Sequence, residues 1–310
     1  MNKKGFDMFK SRGVLVSFFV LFGCSVISGK SNFGYINHGK SRNIGDAIQS
    51  IAAKRFIPKN SIGVEREALH RVNFKTKINT IMNAWYGGKS WPPSDCIEPL
   101  LISMHFNEKF FSVAFSHKGI AYLKQHGPVG TRDYSTFKEL QKRGIPSYYS
   151  GCLTLTLENP YSERDRNDII YAVDIDAECI KFIKSKTKYK VEVLSHRFSK
   201  EELKFDEEKF QFAEEILKKY SKAKCVITSR LHAAMPCLAL KTPVLLINIQ
   251  KDQYRFEGLN ELVRNCSREE LLAGLSGFDL NEPTQNSDLY VPIRENLIKI
   301  VTNWVESKLK

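Results

Sequence analysis

The residues of this chain best suited to chemistry are Ser229-Arg230-Leu231-His232. They follow an apolar run, Cys225-Val-Ile-Thr228, that reads as a buried strand, and they open Leu231 to Leu240, which reads as a helix. Ser229 stands where an N-cap would begin such a helix. A turn of this kind presents free backbone N–H groups and the positive end of a helix dipole at the carboxyl edge of a sheet, a setting for phosphate or carboxylate. Arg230 adds a planar guanidinium fork for the same groups. His232, two residues on, supplies a side chain that titrates near neutrality. A capped helix with a surface arginine and a structurally satisfied histidine has the same spacing, so the segment alone leaves both readings open.

Two further segments carry candidate groups. In Asn43-Ile-Gly-Asp46, Gly45 allows a tight turn or a close backbone approach, and Asp46 suits the cap of the following helix. Asn43 and Asp46 alternatively suit the hydroxyls of a sugar acceptor. In Gly127-Pro-Val-Gly-Thr-Arg-Asp133, Gly130 and Thr131 lead into a helix with Arg132 at its start. A cation there opposes the helix dipole. Either an anion held by Arg132 or an ion pair with Asp133 accounts for it.

The elements that must position these groups follow from hydrophobic periodicity. From Phe33 onward, short apolar runs alternate with amphipathic stretches, the pattern of an α/β protein with parallel sheets. Strands are expected over Phe33 to Ile36, Ile78 to Trp85, Leu100 to His105, Ser147 to Ser150, Ile169 to Ile175, Val191 to Leu194, Cys225 to Thr228 and Pro243 to Ile247. Helices are expected over Asp46 to Phe56, Thr131 to Arg143, Glu207 to Tyr220 and Leu231 to Leu240, the last kinked by Pro236. An amphipathic C-terminal helix is expected over Ile293 to Leu309. The polar stretch from Glu158 to Asn167 contains no aliphatic residue and reads as a linker. The expected architecture is α/β, with two Rossmann-like domains, residues 31–158 and 169–310, joined by residues 159–168 and facing a cleft. Ligands in such sheets bind beyond the carboxyl ends of the strands.

Composition narrows the partners. The 310 residues hold 47 Lys and Arg against 34 Asp and Glu, a net charge of +13 that favours anionic ligands. The basic residues are spread along the chain, and neither zinc-finger spacing nor an aromatic RNA-binding signature occurs, so nucleic acid is not the expected partner. Seven widely spaced cysteines without C-x-x-C argue against a disulfide framework or a cysteine zinc site. The remaining histidines, His105, His117, His126 and His196 among them, are scattered, and no metal cluster is expected. Upstream, Lys3, Lys4, Lys10 and Arg12 precede an uncharged run from Gly13 to Gly29, short for a bilayer span and suited to a signal-peptide core. Residues 1–30 are therefore expected to be a signal peptide or membrane anchor. The location would be membrane-associated or secretory, or cytoplasmic if the segment does not act as a signal.

The three candidate segments, taken together and in order, resemble the polysaccharide pyruvyl transferase family. The resemblance runs from Asn43 to about Ile249, roughly two-thirds of the chain. It rests on Asn43-Ile-Gly-Asp46 with Gln49, on Gly130-Thr-Arg-Asp133 followed by Gly144 and Ser150-Gly-Cys-Leu-Thr154, and on Thr228-Ser-Arg-Leu-His-Ala233 followed by Pro243. It implies a two-domain fold similar to the GT-B glycosyltransferases. It also implies phosphoenolpyruvate as co-substrate, without a cofactor, and a glycan or lipid-linked sugar as acceptor. Members of the family form a pyruvate ketal across two sugar hydroxyls and release phosphate. By the same resemblance, Ser229, Arg230 and Leu231 bind the donor, Arg132 assists, and His232 is placed for proton transfer. A nucleotide-sugar glycosyltransferase on the same fold, or a non-catalytic glycan-binding protein, are the alternatives.

Overall fold

A computed structural model describes residues 31–162, 165–199, 203, 205–248 and 253–310. The expected signal or anchor over residues 1–30 lies outside the described residues. No helix among the described residues is long and apolar enough to cross a membrane.

The first half contains β1 (Phe33–Asn37), α1 (Ile44–Lys54), β2 (Ile62–Glu65), β3 (Ile78–Ile81), β4 (Trp85–Tyr86), β5 (Ile97–Leu100) and β6 (His105–Phe106). It continues with α2 (Phe111–Ala114), α3 (His117–His126), β7 (Val129–Thr131), α4 (Tyr134–Gln141) and β8 (Ser147–Tyr149). The second half contains β9 (Ile169–Val173), α5 (Ala177–Lys186), β10 (Lys190–Leu194), α6 (Asp206–Lys222), β11 (Cys225–Thr228) and α7 (Leu231–Ala239). β12 (Val244–Asn248), β13 (Asn265–Ser267), α8 (Arg268–Leu272) and α9 (Val291–Leu309) complete it.

The chain is α/β, as expected, with parallel strands in every sheet described. One sheet runs β2-β1-β3-β5 and the other β10-β9-β11-β12-β13, with two short parallel pairs, β4-β6 and β7-β8. The central strands of the second sheet, β9, β11 and β12, are apolar and buried on both faces, as parallel strands covered by helices must be, whereas the edge strands β10 and β13 are partly exposed. The largest apolar cluster takes side chains from both halves. Ile44 and Ile48 of α1, Ala213 and Ile216 of α6, most of α7, and Leu297 and Val301 of α9 meet around Leu153 and Leu155.

Four local expectations need correction. The strand expected over Ile78 to Trp85 is two strands, β3 and β4, separated where Asn83 turns to donate to the carbonyl of Gln49 at 2.9 Å. The strand expected over Leu100 to His105 is likewise split into β5 and β6 by Ser103, which sits at φ 50°, a left-handed conformation that breaks the pleat. The helix expected from Thr131 starts at Tyr134, because Val129–Thr131 pairs as a strand with β8 and Asp133 caps the helix through Thr136 N at 2.9 Å. The helix expected from Asp46 starts at Ile44, capped by Asn43, whose Oδ1 accepts from Gly45 N at 3.2 Å. The caps of α3 and α5, Ser116 and Asp176, mark two helices that hydrophobic periodicity passed over.

Candidate active site

A cavity of about 390 Å³ opens at the carboxyl edge of the second sheet. Asp174 follows β9, His196 follows β10, and Ser229 and Arg230 follow β11, so the strand ends themselves deliver the lining. The first half contributes Asn43, at the start of α1. Ile44 N donates to His196 O at 2.7 Å and Phe198 N to Arg42 O at 3.2 Å, which ties the start of α1 to the segment after β10. The N-termini of α1 and α7 therefore meet at one cavity wall.

Asp174 organises the β11 side. It takes φ 51° at the end of β9, and its carboxylate accepts from Ser195 Oγ at 2.7 Å, His196 N at 3.0 Å and Arg230 Nε at 2.7 Å. Although burial opposes ionisation, these donors and the Arg230 charge hold the carboxyl below its ordinary range. Arg230 is thus pinned through Nε alone, with the rest of its guanidinium at the cavity. Ser229 is not the helix cap that the spacing suggested. Its hydroxyl donates to Asp174 O at 2.6 Å, and Arg230 occupies the N-cap position without a side-chain cap bond. Leu231 lines the same cavity.

His232 is placed by two small structural facts. Pro236 lies four residues on, where its ring opposes the carbonyl of His232 and no N–H is available to bond it. His232 accordingly leaves helical geometry, at φ −82° and ψ 16°, realising the kink expected from Pro236. On the other side, a Cβ at Gly45 would stand 2.9 Å from His232 Cβ and 3.2 Å from its Nδ1. Only glycine lets α1 approach this closely, so two of the sequence segments are in contact. The ring is buried, and Nε2 has no hydrogen-bond partner among the described residues. Burial, then Arg132 and Arg255, drive its pKa well below the ordinary value, so at neutral pH the ring is a neutral imidazole.

Arg132 is the most unusual side chain of the molecule. It is 0% exposed, and none of its three guanidinium nitrogens has a hydrogen-bond partner among the described residues. Its nearest counter-charge is Asp133, at 3.7 Å. It lies not in the first turn of a helix but in the joint between β7 and α4, which removes the dipole conflict and replaces it with a larger one: a buried cation with no hydrogen bond. Asp46 also differs from expectation. Asn43 is the cap, and Asp46 is buried at the third helical position, accepting from Ser41 Oγ at 2.6 Å and Gln49 Nε2 at 3.1 Å, with Arg66 at 3.9 Å.

Asp174, Arg255 and the pairing of His105 with Asp133 were not singled out in the sequence. Asp174 carries a signal that strand-end logic supplies, an acid directly after a buried apolar run. Arg255, on the far side of β12, reaches the cavity by chain folding that no local pattern reports. His105 and Asp133 pair at 2.6 Å across 28 residues of sequence. No group of three or more His, Cys, Asp or Glu side chains among the described residues is placed to hold a metal ion.

Comparison with known proteins agrees with this arrangement. A family model described as polysaccharide pyruvyl transferase matches residues 43–251, about two-thirds of the chain, spanning all three segments. No curated protein matches the chain significantly.

Proposed function

Because the chain belongs to the polysaccharide pyruvyl transferase family, we propose that it moves the pyruvyl group of phosphoenolpyruvate onto a sugar of a cell-surface glycan and releases phosphate. The observation that carries this reading is Arg132: a fully buried guanidinium with no hydrogen-bond partner among the described residues and only a 3.7 Å ion pair to Asp133, in the same protein as a buried His232 whose Nε2 also lacks one. A buried charge whose donors make no hydrogen bond carries a large local cost unless an anion completes it. Phosphoenolpyruvate carries two anionic groups, and Arg132, Arg230 and the N-terminus of α7 offer complementary charge.

The neutral state of His232 gives the reaction an order. Burial first, and then the charges of Arg132 and Arg255, hold its proton affinity down. A bound polyanion offsets their charge and raises that affinity, so the histidine gains its proton as the donor arrives. His232 then acts as general acid at the methylene carbon, which becomes a methyl group, while a sugar hydroxyl attacks the adjacent carbon. A second hydroxyl displaces phosphate to close the ketal. In this scheme Asn43, which lines the cavity, and the nearby Asp46, which does not, serve the acceptor.

Thermal melting distinguishes the donors. Millimolar phosphoenolpyruvate should stabilise the protein, whereas a panel of nucleotide sugars should not. Stabilisation by a nucleotide sugar alone would assign the cavity to a glycosyltransferase instead.

A further inference from the structure

Outside the cavity's own lining, the start of β6 runs beside the carboxyl end of β7. Met104 bridges Thr131 in parallel, and Arg132 N donates to Met104 O at 2.8 Å, so His105 and Arg132 are neighbours in register. His105 is 0% exposed, with Tyr254 stacked on its ring at a centroid distance of 6.0 Å. Its Nδ1 lies 2.6 Å from Asp133 Oδ2 and 3.3 Å from Thr136 Oγ1. An ionised carboxylate can only accept, so Nδ1 carries the ring proton and Nε2 is a bare lone pair. That Nε2 has no partner among the described residues, and neither has any guanidinium nitrogen of Arg132.

Donors without an acceptor therefore adjoin an acceptor without a donor, and they do not bond each other. One ligand completes both only if it brings acceptor oxygens together with an O–H. A carboxylate at neutral pH has no proton to give Nε2. A protonated phosphate has both.

We propose that Arg132 and His105, with Asp133 behind the ring, are the seat of the donor's phosphate, where His105 Nε2 accepts the O–H of the departing hydrogenphosphate. The assignment rests on the phosphoenolpyruvate reading above, and it leaves the donor carboxylate to Arg230 and the start of α7. Two hydroxyl O–H bonds break in forming the ketal. One proton is accounted for by the new methyl group. The other ends on phosphate as the carbon–oxygen bond to it breaks and the electron pair stays with that oxygen. His105 holds that second proton on the leaving group, which makes it a catalytic residue.

The test is a histidine NMR titration of the full chain with three probes: inorganic phosphate, phosphoenolpyruvate and pyruvate, the last having a carboxylate only. His105→Gln identifies the resonance, and seven histidines are few enough to assign through bonds if that variant does not fold. In the free protein burial and the Arg132 charge hold the His105 pKa at about 4. Saturating phosphate should raise it above about 5, as an opposite charge in contact does, and pyruvate should leave it in place. Phosphate binding that leaves His105 unmoved, or pyruvate moving it as far as phosphate, overturns the proposal. If phosphate moves His105 but phosphoenolpyruvate does not bind, the phosphate seat stands and the donor reading falls. If neither phosphate nor phosphoenolpyruvate binds, both fall.

Discussion

Replacing Arg132 with methionine keeps much of the side chain's length and removes its charge. In the unliganded protein the guanidinium is fully buried and faces Asp133 at 3.7 Å. At an effective dielectric constant of about 20, that separation is worth about 4.5 kcal/mol of attraction. Against it stand a desolvation penalty of several kcal/mol and unmade hydrogen bonds at about 1–3 kcal/mol for a stranded polar group. Asp133 does not depend on the arginine, because it keeps His105 Nδ1 at 2.6 Å and Thr136 N at 2.9 Å. The balance favours the variant. Removing one partner of a buried ion pair costs about 3–5 kcal/mol where the other is left uncompensated, but Asp133 keeps both of its other donors, so unliganded Arg132→Met should be at least as stable as the parent. The melting temperature should accordingly not fall below the parent's, where a loss of 3 kcal/mol would lower it by roughly 6–12 °C at about 2–4 °C per kcal/mol. The ligand response should move the opposite way. At a hundredfold excess over its dissociation constant, phosphoenolpyruvate adds about 2.7 kcal/mol to the parent and should add nothing to the variant. Calorimetry with and without phosphoenolpyruvate reads both effects. A variant less stable than the parent by about 3 kcal/mol or more would show that Arg132 holds the fold through Asp133, and the anion-seat argument would fail.

Gly45→Ala should cost about 1–3 kcal/mol through its contact with His232 Cβ but lower turnover by roughly a hundredfold, because a small displacement of His232 misplaces the proton donor. Turnover within about threefold of the parent would show that the close approach serves packing alone. His232→Gln should keep phosphoenolpyruvate binding and lose about a hundredfold or more in phosphate release on a panel of sugar acceptors; a rate close to the parent's removes His232 from proton transfer. Burial lowers the pKa of His38, His105 and His196 to about 4 from an ordinary 6.5. The unfolded chain then binds more protons between those values, so stability is complete above pH 6.5 and falls towards pH 4, by up to about 1.4 kcal/mol per pH unit for each ring. The depressed carboxyls of Asp46, Asp133 and Asp174 act only below their ordinary 3.8 and leave this window alone. Urea unfolding across the window checks the slope, and a flat profile would contradict the burial of these rings.

Elements with their own local signal were legible from residue order. The buried strands β9, β11 and β12, the long helix α6 and the C-terminal helix α9 lie where apolar periodicity put them, within a few residues. The location of Ser229 to His232 at a strand end was legible for the same reason, since a strand, a turn and a helix are all short-range patterns. Choices between adjacent candidates were not. Asn43 rather than Asp46 caps α1, and Arg230 rather than Ser229 stands at the start of α7, because Ser41 and Gln49 take the Asp46 carboxylate and Asp174 takes the Ser229 hydroxyl. Those competitors were visible only once the chain had folded. The same holds for the contact of Gly45 with His232, the pairing of His105 with Asp133, and the burial of Arg132 without a hydrogen bond. Periodicity and capping report what a residue does with neighbours a few positions away. Which charge is buried, and what stands opposite it, depends on partners brought together by the packing of two sheets.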